Sequence, residues 1–158
     1  MIEERRFRGV MGHFATGVTV VTTCGEGGAP VGLTVSAFTS VSLDPPLVLV
    51  CIHKDASAHD LLVREASFAV CVLSKDQEEL AVRFASLEPE ERFQNLTLEE
   101  SPLGNPLLPD ALAWLDCRVT EVFPGGDHSV VLASASECQA REGEPLIFYK
   151  GEMRGLSS

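Results

Sequence analysis

The chain has 158 residues, 45% of them apolar, and a formal net charge of −11. That length and apolar content suit one domain, residues 1–158, with a sizeable core, and argue against disorder. The charge argues against nucleic acid or an anionic membrane as the main partner, because such a surface repels phosphate at long range.

The opening MIEERRFRGVMGH holds no apolar run of signal-peptide length, and no later segment approaches a bilayer span. A cytoplasmic chain with no membrane partner is therefore expected. Phe7, Val10, Met11 and Phe14 follow the i, i+3, i+4, i+7 spacing of an amphipathic first helix, with Gly17 placed to end it. Val18 to Cys24 is a β-branched run, GEGGAP a turn, and Val31 onward strand-like again, so this pair reads as a hairpin or meander. GEGGAP lacks the GxGxxG spacing of a dinucleotide fingerprint, and a strand follows it where that motif needs a helix.

From residue 33 the chain alternates. Leu33, Val35, Ala37, Val41 and Leu43 stand on odd positions; Thr34, Ser36, Ser40 and Ser42 stand on even ones, with Phe38 among them. In extended chain these sets face opposite sides. Thr39 breaks the pattern, which predicts a bend or bulge near Phe38 to Ser40. Leu47 to Ile52 is continuously apolar, as expected of a strand covered on both faces.

Ser57 and Asp60 have the spacing of a capping box for a short helix over residues 58–65, and Ser74 and Gln77 for a helix from Lys75 to about Ala85, with a strand from Phe68 to Leu73 between them. Residues 88–111 are acidic and Pro-rich, and read as a functional surface excursion. Three further strands are predicted at Trp114–Phe123, Ser129–Ala135 and Leu146–Lys150. This order favours an α+β, barrel-dominated fold built on an antiparallel sheet.

A row of hydroxyls on one strand face is ordinarily a solvated face. Here Lys54 and Ser57 follow it at an expected helix start, where N–H groups, a hydroxyl and an ammonium converge on an anion such as phosphate. Asp55 and Asp60 oppose that by repulsion, so both readings stand. His53 and His59 with Asp55 and Asp60 do not align as a chelate, and no metal is expected. His13 reads as structural or interfacial. His128 follows a GGD turn, either as a functional residue at a loop-to-strand junction or as an imidazole capping Asp127. The five cysteines (Cys24, Cys51, Cys71, Cys117, Cys138) form no CxxC and sit mostly in apolar runs, as inert thiols do. Hydrolase and P-loop motifs are missing from the sequence, which points to a cofactor whose own atoms do the work.

Taken together and in order, FATGVTVVTT (14–23), GLTVSAFTSVSLDPPLVLVCI (32–52), the Lys54 and Ser57 segment, FAVCVLSKDQEELAVRFA (68–85), GDHSVVLASA (126–135) and PLIFYKGEM (145–153) resemble the flavin reductase-like family with the FMN-binding split-barrel fold. The resemblance implies a homodimeric antiparallel Greek-key barrel with short flanking helices. Such a protein binds FMN or FAD, reduces it with NADH or NADPH, and in many relatives serves a separate aromatic monooxygenase; others are ferric reductases or flavoredoxin-like electron carriers. It further implies that Thr34, Val35, Ser36 and Ala37 line the isoalloxazine and ribityl chain, with Ser40, Val41 and Ser42 continuing the contact. Cys51, Ile52, His53, Lys54 and Ser57 would reach the ribityl and phosphate. His128, with Phe38 and Tyr149, would border the nicotinamide. Relatives usually carry an aromatic where this chain has Met153, and an Asn where it has Cys71.

Overall fold

The computed structural model describes residues 1–64 and 67–156. Helix α1 (Glu4–Met11) closes at Gly12, five residues before the predicted end. The chain is turned there by two backbone bonds, Gly12 N–H to the Arg8 carbonyl and Lys150 N–H to the Gly12 carbonyl, both 2.9 Å. Gly17 is a strand residue instead: β1 (Thr16–Gly17) pairs with Ile147 and Phe148.

The hairpin forms as read, from β2 (Thr19–Cys24) and β3 (Pro30–Val35) joined by a turn at Glu26–Gly28. Next come β4 (Phe38–Leu43), β5 (Pro46–His53), a one-turn helix α2 (His59–Val63) and β6 (Ser67–Val72). The first proposed capping box does not form. Ala58 occupies the N-cap of α2 with no side-chain bond, and the predicted C-terminal end of that helix lies outside the described residues. The second box does form: the Gln77 side chain accepts from Ser74 N–H at 3.0 Å, ahead of a tight turn and α3 (Glu78–Ser86).

After α3 the chain runs through the short pair β7 (Glu99–Glu100) and β8 (Pro106–Leu107), then the long hairpin β9 (Ala113–Gly125) and β10 (His128–Ala140), and ends with β11 (Ile147–Tyr149) and β12 (Glu152–Arg154). Seven strands make one antiparallel sheet in the order β3-β2-β6-β9-β10-β5-β4; β1, β11 and β12 make a second. The barrel-dominated α+β expectation holds.

Two cores explain which strands are doubly covered. Val21, Val35, Val50, Phe68, Val70 and Val131 meet on one face of the curled sheet, where Ala58 and Leu62 from the α2 region join them. On the other face Val20, Ala69, Cys71, Phe84, Leu107 and Leu146 pack together from β2, β6, α3 and the later segments. So β2 and β6, not β5, are buried on both sides. In β5, Val48, Val50 and Ile52 are buried while Leu47, Leu49 and Cys51 are only half covered, which corrects the reading of that run as covered on both faces.

Of residues 88–111 only the first half runs over the surface; no residue of 88–100 is buried, but the rest turns inward. Leu107 and Leu108 enter the second core, and Thr22 donates to the Pro106 carbonyl at 2.5 Å. The wholly buried Asp116 accepts from Leu103 N–H at 2.7 Å and from Asn105 Nδ2 at 2.9 Å. A buried carboxylate with its lone pairs satisfied by the loop it faces holds that loop in place.

Candidate active site

The strand order sets where a site can form. β3 and β4 are consecutive in the chain but lie at opposite edges of the seven-stranded sheet, so the sheet curls and the chain crosses the seam at Ser36–Ala37. Across that seam β3 and β5 share no ladder, while the β4–β5 ladder runs one residue further to the seam's edge, where Cys51 N–H donates to the Ala37 carbonyl at 3.0 Å. A cleft of about 200 Å³ occupies the gap, walled by Leu33 to Ala37 on one side and Cys51 to His53 with His128 on the other. It continues past Leu33 and Thr34 into a second, wider cleft of about 510 Å³, bordered by Asp55–Ser57, the end of α3 and Arg92.

At one end of the first cleft two imidazoles meet. His53 and His128 are register partners on β5 and β10, and their rings stand edge to face at 4.9 Å. Asp127 lies against both, with Oδ1 2.7 Å from His128 Nδ1 and Oδ2 3.8 Å from His53 Nε2. The hydrogen bond from His128 above all holds the Asp127 carboxyl below the usual carboxylate range. The turn is anchored from β5 as Lys54 N–H donates to the Asp127 carbonyl at 2.9 Å. Burial pushes the Cys51 thiol upward, so it presents a neutral S–H to the cleft.

This chain matches the flavin reductase like domain over residues 11–157. It belongs to the flavin reductase-like family. Flavin-dependent monooxygenase reductase subunit HsaB of Rhodococcus jostii is 42% identical over 98% of this chain and 79% of its own length. FMN reductase (NADH) SmoA of Agrobacterium fabrum is 42% identical over 94% of this chain and 83% of its own. Among solved structures, NADH:FAD oxidoreductase SgcE6 of Streptomyces globisporus, in complex with NAD and FAD fragments, superposes with a TM-score of 0.90 at 38% identity, covering 98% of this chain and 94% of that one. Nitrilotriacetate monooxygenase component B of Mycobacterium thermoresistibile superposes at 0.92 with 39% identity, covering 98% and 87%. The split-barrel fold of the flavin reductase-like family is thereby established for this chain.

Of the residues singled out from the sequence, Thr34, Val35, Ser36, Ala37, Cys51, Ile52, His53 and His128 come together in the first cleft, and Thr34 and Ser57 share the second. Lys54 stands exposed in the turn between them. The others lie elsewhere in this chain. Phe38 turns inward to the core. Ser40, Val41 and Ser42 sit on β4 along a bulge, where Ser40 opposes Val48 and Ser42 opposes Leu47. Tyr149 belongs to the second sheet, beside His13 and Lys150. Met153 pairs with Phe148 and packs against the second core.

The hydroxyl row is partly spoken for. The Thr34 hydroxyl donates to the Ala81 carbonyl at 2.6 Å and so offers a ligand only its lone pairs. Among the described residues Ser57 makes no capping bond, and the short α2 begins two residues later, at His59, so its end does not aim N–H groups between Lys54 and Ser57 as expected. Two residues were missed. Arg92 donates to the Gly32 carbonyl at 2.8 Å and the Leu87 carbonyl at 2.9 Å, which carries it to the second cleft. Its place is set by the fold of 88–111, and no local signal marks it. Asp127 was in view as part of GDH, but only as something for His128 to cap.

Proposed function

We propose that this chain is an NAD(P)H-dependent flavin reductase that takes FMN or FAD into the seam cleft, receives hydride there from NADH or NADPH, and releases reduced flavin to a separate monooxygenase. The observation that carries the reading is the seam itself, a cleft with apolar walls, peptide groups and hydroxyls along one side and imidazoles at one end.

The residues fit a flavin. Leu33, half buried at the cleft wall, offers aliphatic surface to a flat ring, while Ser36 and the peptide groups of 36–37 offer hydrogen bonds to its polar edge. In a chain of net charge −11 a phosphate needs local cations; Arg92 borders the second cleft with Ser57, and Lys54 stands between the two. When bound, the flavin ring supplies the hydride-accepting chemistry. The protein's task is to align the two rings, exclude water and hold charge near the ring's polar edge. His128, at the open end beside His53, orients the nicotinamide in this reading. The ribityl chain runs between Thr34 and Cys51.

The functional unit we propose is a homodimer. The outer face of β5 and β10 presents Leu47, Leu49, Val130 and Leu132 half exposed, and Phe123 on β9 extends it. Phe7, Val10 and Phe14 of the α1 region are likewise uncovered, Phe14 at 72% exposure. A contiguous apolar face of this kind marks an interface. It borders the cleft, so a second copy would complete the site and can bring in groups such as Tyr149 that lie far from it in one chain. Among the described residues no helix is long and apolar enough to cross a membrane; we place the protein in the cytoplasm, where its nicotinamide donor is found.

The test is anaerobic mixing of the protein with NADH, or NADPH, and a large excess of free flavin. Bleaching of the whole flavin pool is expected. Bleaching limited to one flavin per protein would mean a bound-flavin carrier, and none with either nucleotide would mean a binding module.

A further inference from the structure

The two imidazoles at the cleft are not equivalent, and the hydrogen bonds say how. Asp55 N–H donates to His53 Nδ1 at 3.1 Å. That nitrogen is therefore an acceptor, and the His53 proton sits on Nε2, the atom facing Asp127. On His128 the nitrogen against Asp127 is Nδ1, at 2.7 Å. An ionised carboxylate only accepts, so Nδ1 carries the proton there. Both protons thus point at one carboxylate, and the unprotonated nitrogen of His128 is Nε2. Protonation sites in imidazoles are assigned through such networks.

We propose that Asp127 is a positioning residue: it locks His128 in the Nδ1–H tautomer, so that a bare Nε2 stands ready to accept a hydrogen bond from the carboxamide N–H₂ of the nicotinamide. The other tautomer would present an N–H and repel that donor while leaving the size and place of the ring unchanged. Three features make the lock effective. The Asp127 backbone is tied to Lys54 N–H, the His53 Nε2–H side approaches the second carboxylate oxygen, and the edge-to-face contact of the rings fixes the plane of His128. A carboxylate that sets the tautomer of a neighbouring imidazole is a well-understood device for choosing which nitrogen is presented to a ligand. Its worth lies in orientation, not proton transfer.

This proposal rests on the reading that the nicotinamide reaches the cleft beside His128, and the experiment separates the two. Long-range proton–nitrogen correlation of the imidazoles in the full chain reports tautomers without any turnover. The wild-type protein is expected to show His128 with protonated Nδ1 and pyridine-type Nε2. Asp127→Ala is expected to shift His128 toward the Nε2–H form and to raise the KM for NADH about tenfold, and Asp127→Glu to restore both in part. Because Asp127 acts only through His128, the His128→Ala and Asp127→Ala effects on that KM should not add in the double variant. Flavin affinity by fluorescence quenching and the unfolding transition should be unchanged in Asp127→Ala, whose side chain is 76% exposed. A wild-type His128 protonated on Nε2, or a tautomer indifferent to Asp127→Ala, overturns the lock. A tautomer that shifts with no change in KM overturns its role in nicotinamide binding. A wild-type protein that binds no flavin sinks the underlying reading, while the tautomer result still stands.

Discussion

Gly32 shows how closely single residues set this site. It lies on β3 beside the seam, where a Cβ would stand 3.0 Å from both the Phe84 and Phe93 rings. Those rings already pack edge to face at 4.8 Å, and Phe84, wholly buried, has no room to give. Gly32→Ala is expected to cost about 1–3 kcal/mol as an overpacked contact, and to disturb Arg92, which donates to the Gly32 carbonyl. Urea unfolding tests this: the midpoint should fall with no change of slope, and an unmoved midpoint contradicts it. Such a constraint was invisible in the sequence, where Gly32 reads as one more small residue in a strand. The residues that were legible are those whose role follows from alternation or motif: Val35 and Ile52 in the walls, and Ser74 with Gln77 as a cap. Those that were not, Arg92, Gly32 and Asp127, take their function from neighbours far along the chain, or from a partner's tautomer.

At the scale of elements, every strand of the seven-stranded sheet was legible because β-branched runs bounded by turns leave a period-two signal, whereas the short β1, β7, β8 and β12 leave none. The misses share one cause. A sequence reports that a face is apolar but not what covers it. The stripe of α1 was read correctly as periodic, yet its side chains are exposed in the single chain, and the run in β5 was read as doubly covered when its outer residues are half open. Both exposed faces are accounted for if they meet a second copy. Gel filtration or light scattering is therefore expected to give a dimer, and Leu49→Glu on the outer face of β5, beside Leu132 of β10, is expected to give a monomer that still folds. A wild-type monomer at micromolar concentration contradicts the shared interface. The bulge expected near Phe38 to Ser40 forms just beyond, between Ser40 and Ser42. It offsets the alternation by one residue, so Ser42 no longer shares a face with Ser40.

For the molecule as a whole, the function follows from a barrel that does not fully close. The β3-to-β4 crossing leaves a seam with no ladder between β3 and β5, and there the sheet offers a ligand both side chains and peptide groups not used up in a ladder. An opening at the surface also suits a flavin that must leave after reduction. The central claim is that this seam is where flavin binds, and a fluorescence-quenching titration of FMN and FAD tests it most directly when run on the wild-type protein beside Ala37→Trp. Ala37 is exposed at the lip of the cleft, so the larger side chain can fill the opening without entering the core. Saturable quenching by the wild-type protein is expected, and its loss in Ala37→Trp, with the unfolding midpoint unchanged. Equal flavin affinity in the two proteins, or no quenching in the wild type, would contradict it.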